Sequence, residues 1–195
     1  MRLTEILLLL LVGWTAIGIV GIAVSRRRGE RQKAARNLGW VVGIWTLYMA
    51  VLVGVSLVQP QRFIAPGMPQ CFGKMCYTVA GVEEIPGYLA QNARLVRVHV
   101  NIVNHGSKTG GDSLLHAYLL DTDGRRWTEI SGLSGVPLSA KIPAGRTVTN
   151  EPIFKLPSDV VPLGIVLTHG RLQPGFLVIG DPDSMLHRPT IAKLR

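Results

Sequence analysis

Residues 25–37 read SRRRGERQKAARN and lie between two stretches without a charge: residues 6–24, ILLLLLVGWTAIGIVGIAV, and residues 38–58, LGWVVGIWTLYMAVLVGVSLV. The flanking stretches run to 19 and 21 residues. As helices rising about 1.5 Å per residue they reach roughly 28 and 31 Å, close to the hydrocarbon thickness of a bilayer. Lipid offers the backbone no hydrogen-bond partner, so both stretches are predicted to be transmembrane helices. The segment between them holds Arg26, Arg27, Arg28, Arg31, Lys33 and Arg36 against Glu30 alone. Positive charge on a short loop resists translocation. The loop is therefore predicted to be topogenic and cytoplasmic, with both flanking ends on the far side of a plasma (inner) membrane.

Composition agrees with that reading. The chain has 195 residues, 47% of them hydrophobic, 17% charged, and only two cysteines. The mean hydropathy is +0.29 and the pI about 10.2. Those values exclude a disordered chain, a disulfide-dense mini-scaffold and an ordinary soluble enzyme of full size. The net charge of +9 is concentrated in the basic segment. Charge needed for insertion explains it, so no nucleic-acid partner is expected; attraction to anionic headgroups is a secondary use of the same cations. A rival reading takes Ala23-Val24-Ser25 as a signal-peptidase site. The apolar run is longer than a usual signal-peptide core, and three arginines follow the cut directly, so a retained helix is favoured.

Neither apolar run contains Asp, Glu, Lys, Arg or His. Transport pathways through membranes use such groups at depth, so the pair reads as an anchor or a docking surface for another membrane subunit. Gly39 and Gly43 form a small-xxx-small pattern that predicts close helix approach, and Gly13, Gly18 and Gly21 offer small positions opposite. Trp40 is expected at headgroup level, with Trp14 and Trp45 packed deeper.

After Gln59-Pro60-Gln61-Arg62 the pattern changes. The expected organisation is an anchor over 1–62, a linker over 63–75 with Pro66, Gly67 and Pro69, and an extracytoplasmic domain over 76–195. From Phe63 onward there are 13 Lys+Arg and 10 Asp+Glu, so this part is only modestly basic. Strands are predicted over 76–84, 94–104, 114–120, 125–130, 146–156, 163–169 and 176–179. The clearest is 94–104, where Val96, Val98, Val100 and Ile102 alternate with Arg97, His99 and Asn101. Asp121-Thr122-Asp123-Gly124 turns one strand into the next. Seven short strands separated by turn signals predict an all-β immunoglobulin-like sandwich.

Cys71 and Cys76 are separated by four residues, and Gly73 lets the chain turn between them. Outside the membrane the pair is predicted to oxidise to a disulfide. No two of His99, His105, His116, His169 and His187 have metal-pair spacing on one element, though strand pairing between His99 and His116 stays open. Asp121 and Asp123 lack the further acidic positions of a calcium loop. Asp181, Asp183 and His187 form the densest polar cluster and are the ligand candidates, with Ser184–His187 as the single local hydrolase candidate; a Pro-containing turn explains the cluster more simply. No phosphate-binding, dinucleotide or Gly-x-Ser-x-Gly motif is present, and no cofactor or catalytic residue is expected.

An order of features then carries a family resemblance. Cys76-Tyr77-Thr78-Val79 leads the first strand, and Val98 to Asn104 alternate and end in Asn. Leu119-Leu120-Asp121-Thr122-Asp123-Gly124 makes a hairpin, followed by Ile142-Pro143-Ala144-Gly145 and Phe154-Lys155-Leu156-Pro157. Over roughly residues 75–180 this resembles the DUF4352-type immunoglobulin-like domains found on the outer face of bacterial membranes. The resemblance implies an interaction or structural module without a known catalytic site. The expected function is a membrane-anchored, non-catalytic extracytoplasmic module with a protein or envelope partner. The alternative is a small-ligand or metal-binding sensor or carrier.

Overall fold

The computed structural model describes residues 3–86, 92–133, 135–170, 174–181 and 183–194. They form two compact units.

The first unit contains two long apolar helices, α1 (Leu3–Arg27) and α2 (Arg31–Val58). Both are long and apolar enough to cross a membrane. The basic segment is not a 13-residue loop, since only residues 28–30 separate the helices. Gln32, Lys33, Ala34, Ala35 and Arg36 are good helix formers, so α2 starts inside the basic run. Gly29 makes the reversal with φ of 76°. Arg26 and Arg27 fall in the last turn of α1, where the helix dipole favours cations.

Among the glycines of the two helices, Gly18 marks the tightest approach. A Cβ on Gly18 would stand 2.6 Å from Val41 Cγ2, whereas Gly39 and Gly43 meet nothing within 4 Å. The expected Gly39–Gly43 seam is therefore corrected: the small residue that matters is on α1. Polar glue lies nearby, where Trp45 Nε1 donates to Thr15 Oγ1 at 2.8 Å. Trp45 is half-buried as expected, but Trp14 is 57% exposed and does not pack.

The same unit includes residues from the far end of the chain. Phe176–Ile179, expected as a strand, instead runs from a short 3-10 helix (Pro174–Leu177) into turns. Pro174 has no N–H to give a ladder, and Val178 N–H donates to the Gly175 carbonyl at 3.0 Å. Ile179 and Met185 pack on a cluster built from Leu11, Tyr48 and Leu52.

The second unit is a β-sandwich. Its described strands are β1 (Phe63–Ile64), β2 (Pro69–Phe72), β3 (Met75–Glu84), β4 (Ala93–Asn104), β5 (His116–Asp121), β6 (Arg126–Thr128), β7 (Thr147–Asn150), β8 (Ile153–Pro157), β9 (Pro162–Thr168) and β10 (Ile191–Lys193). One sheet has the order β1-β10-β9-β5-β6; the other is β2-β3-β4-β7, with β8 also pairing β4. β1 and β2 lie where a linker is expected, because the segment closes the sheets at their edges: Phe63 pairs with Ile191, and Pro69–Phe72 with Met75–Thr78.

β4 shows why the chain folds this way. Val98, Val100 and Ile102 are fully buried, while Arg97, His99 and Asn101 alternate outward. Leu119 and Ile165 of the other sheet, with Phe154 of β8, complete the core at no exposure. Each such side chain contributes about 1.5–3 kcal/mol by leaving water. Asn104 ends the buried row and is fully bonded: its Nδ2 donates to the Lys108 and Ile142 carbonyls, and its Oδ1 accepts from Gly106 N–H. At Gly164 a Cβ would stand 2.6 Å from the Ala192 carbonyl oxygen, so β10 lies tight against β9 only because that position is glycine.

Candidate functional site

Among the described residues the sandwich carries a groove of about 540 Å³, where the ends of β3 and β4 face β9 and β10. That volume falls in the range of roughly 300–1,000 Å³ typical of small-molecule sites. Val82, Val96, Leu163 and Leu194 make its apolar wall. Glu83, Glu84, Arg94 and Lys193 contribute charge of both signs. Arg94 is held in place, with Nη2 donating to the Val160 carbonyl at 2.7 Å and Nη1 3.4 Å from Glu84 Oε2. Lys193 Nζ lies 5.3 Å from the Phe63 ring centre, a cation–π distance. The groove suits an amphipathic ligand or an extended peptide.

Beside it, the outward face of β3 and β4 bears an ion-pair cluster. Arg97 Nη1 donates to Glu83 Oε1 at 2.8 Å, and His99 Nδ1 lies 3.2 Å from Glu151 Oε1. His99 is thus a hydrogen-bonded surface side chain, as the strand pattern predicts. It does not meet His116, which lies on β5 in the other sheet. Exposed pairs of this kind contribute about 0–1 kcal/mol each, so the cluster shapes surface charge more than stability.

A second polar group was not legible in the sequence. His169 Nε2 contacts Asp112 Oδ2 at 2.5 Å, and the Phe72 ring stands edge-on to the imidazole at 4.6 Å between centres. Tyr77 packs on Phe72. Burial pushes the Tyr77 hydroxyl up to about 12, and the negative charge of Asp112 adds to the effect. The pair is separated by 57 residues, and only the register of β5 with β9 brings it together.

Asp121-Thr122-Asp123-Gly124 is a hairpin turn. Asp121 Oδ1 accepts from the N–H groups of Asp123 and Arg125, and its Oδ2 from Arg125 Nε and Trp127 Nε1. Burial works against ionisation, but the backbone N–H of Arg125, the Trp127 indole and the Arg125 guanidinium outweigh it and hold the carboxyl below its ordinary range. With its oxygens engaged by four donors, Asp121 organises the turn rather than presenting a calcium ligand.

The ligand candidates Asp181, Asp183 and His187 fall in the first unit. Asp181 Oδ1 accepts from Asp183 N–H at 2.9 Å, an Asx turn. Among the described residues no three His, Cys, Asp or Glu side chains converge as a metal would need, so these three are not gathered into a ligand set. Ser184 Oγ lies 3.1 Å from Ser56 Oγ, and neither ring nitrogen of His187 has a hydrogen-bond partner among the described residues. The Ser184–His187 hydrolase pair is therefore not assembled. Cys71 and Cys76 are joined, directly opposite each other on β2 and β3.

No family model matches the chain, and no curated protein does. Solved structures resemble part of the chain at low identity and low TM-score. An uncharacterised β-sandwich protein from Clostridium difficile 630 is 13% identical, with a TM-score of 0.45 over 70% of this chain and 96% of its own. A conserved hypothetical protein from Bacillus anthracis is 10% identical, with a TM-score of 0.42 over 54% of this chain and 88% of its own. An ApaG protein from Pseudomonas aeruginosa is 13% identical, with a TM-score of 0.34 over 53% of this chain and 97% of its own. By its own elements, the chain is two long apolar helices followed by a β-sandwich.

Proposed function

We propose that the protein is a multi-pass plasma-membrane protein whose helices anchor a non-catalytic extracytoplasmic β-sandwich, and that the sandwich binds a protein or envelope partner. One observation carries this reading: two helices of membrane-spanning length meet at a basic stretch, residues 25–37, that holds six cations and one anion across their facing ends and the turn between them. Their outward side chains are apolar and exposed, as Leu10, Ile17, Leu47 and Leu57 illustrate. In water such a surface would drive aggregation; in lipid it is the stable solution. The resemblance to DUF4352-type domains supports the same reading. The outward ion-pair face and the amphipathic groove supply the binding surface.

The test is photo-crosslinking in growing cells with a probe at Val161, beside the groove, in the full chain. A discrete adduct with an envelope component is expected. Adducts with cytoplasmic proteins alone would refute the proposal. The volume of the groove favours a second reading, a small-ligand carrier or sensor. That reading requires a saturable rise in melting temperature with an amphipathic ligand, abolished by Leu163→Arg.

A further inference from the structure

We propose that residues 175–181 and 183–185 form a third membrane element, a short re-entrant segment whose apolar side chains lie among the acyl chains of the outer leaflet. The proposal rests on the membrane anchoring argued above and adds to it a part of the chain that hydropathy alone does not mark.

Depth is the first argument. Tyr48 donates its hydroxyl to the Leu177 carbonyl at 2.5 Å. Tyr48 lies ten residues before the end of α2 at Val58, which is about 15 Å along a helix at roughly 1.5 Å per residue. It stands near the middle of the apolar run 38–58. A tyrosine side chain is far shorter than that distance, so the Leu177 backbone lies inside the span. Ser184 returns to the level of Ser56, two residues from the end of α2, where the two hydroxyls meet. The segment therefore dips and comes back.

Chemistry is the second. The deep part is Phe176-Leu177-Val178-Ile179, without a polar side chain, whereas Asp181, Asp183 and Ser184 come after the dip. Non-helical backbone at membrane depth is tolerated only where its polar groups are paired. Three of its N–H groups pair locally: Val178 N–H with the Gly175 carbonyl, Asp181 N–H with that of Val178, and Met185 N–H with that of Phe176. The Leu177 carbonyl takes the Tyr48 hydroxyl. One flank, through Ile179 and Met185, packs on Leu11, Tyr48 and Leu52, while Phe176 and Leu177 remain partly exposed.

Leu186 points the same way. It has φ of 62° and is 62% exposed. Left-handed backbone is costly for a bulky side chain. In water an exposed leucine returns nothing for that cost, but at the lipid boundary it does.

The experiment is spin labelling of the full chain in lipid nanodiscs. Cys71 and Cys76 are bonded to each other, so each engineered thiol is the only free one. Phe176→Cys and Leu177→Cys are compared with Leu47→Cys on α2 and Asp123→Cys in the sandwich turn. The expected result is oxygen access several-fold above nickel-chelate access at 176 and 177, as at 47, with the reverse at 123. Nickel access at 176 and 177 matching position 123, while 47 stays lipid-like, overturns the re-entrant segment and leaves the anchor standing. Exclusion of both reagents at 176 and 177 also overturns it, because a protein partner then covers the segment. A water-accessible 47 overturns the anchor and the segment together.

Discussion

The indole N–H of Trp45 on α2 donates to Thr15 Oγ1 on α1 at 2.8 Å, while the Thr15 hydroxyl donates in turn to the Leu11 carbonyl. This short relay is the one side-chain hydrogen bond between the helices among the described residues. Interhelical hydrogen bonds in lipid contribute about 0.6 kcal/mol on average and up to roughly 1.7. Trp45→Phe should lower resistance to unfolding in a denaturing-detergent titration by that amount, and Thr15→Val should do the same. The double variant should lose little more than either single one. Additive losses would show that the two residues act separately.

Gly18 and Gly43 should respond in opposite ways to the same change. A methyl at Gly18 would press on Val41, which is β-branched and stiff, so the helices must separate. Gly18→Ala should cost about 1–3 kcal/mol as overpacking does. Gly43→Ala meets open space and should be neutral or slightly stabilising. The same denaturation assay reads both. Equal effects at the two sites would contradict the seam.

Asp121 makes acid sensitivity specific to the β5–β6 turn. Its folded-state pKa is depressed, so the stability it contributes is fully present above the unfolded value of about 3.9. That stability is lost as the pH falls below this value towards the folded one. Melting temperature in mild detergent should therefore drop more steeply below about pH 4 in the native chain than in Asp121→Asn. The variant should already be less stable at pH 7. Parallel acid profiles would show that the carboxylate is not the titrating group.

The Cys71–Cys76 bond closes a loop with a sequence separation of 5. By the chain-entropy argument so short a loop is worth on the order of 2 kcal/mol. Cys71→Ser with Cys76→Ser should lower the melting temperature by several degrees and leave the sandwich folded, as read by far-ultraviolet circular dichroism. Complete loss of the fold would mean that the bond organises β2 and β3 rather than trimming their stability.

The parts of this architecture that were legible are those in which a single period decides. The two uncharged runs could only be helices in an apolar setting, and the Val96–Ile102 alternation could only be a half-buried strand. Cys71 and Cys76 paired because a turn at Gly73 brings two adjacent strands face to face. What escaped depends on contacts distant in sequence. Phe176-Leu177-Val178-Ile179 reads equally well as a core strand, and only the surface offered by Leu11, Tyr48 and Leu52 decides otherwise. Asp112 and His169 meet through sheet register, which leaves no local trace. The start of α2 within the basic run was hidden because charge pattern and helix propensity point to different boundaries there.

Orientation is the claim on which the rest turns, and site-directed labelling in intact cells tests it most directly. Asp123→Cys and Lys33→Cys, each in the Cys71→Ser, Cys76→Ser background, are exposed to a membrane-impermeant thiol reagent before and after permeabilisation. The account predicts that Asp123→Cys reacts in intact cells and that Lys33→Cys reacts only once the membrane is opened. The opposite pattern, with Lys33→Cys labelled from outside and Asp123→Cys protected, would contradict it.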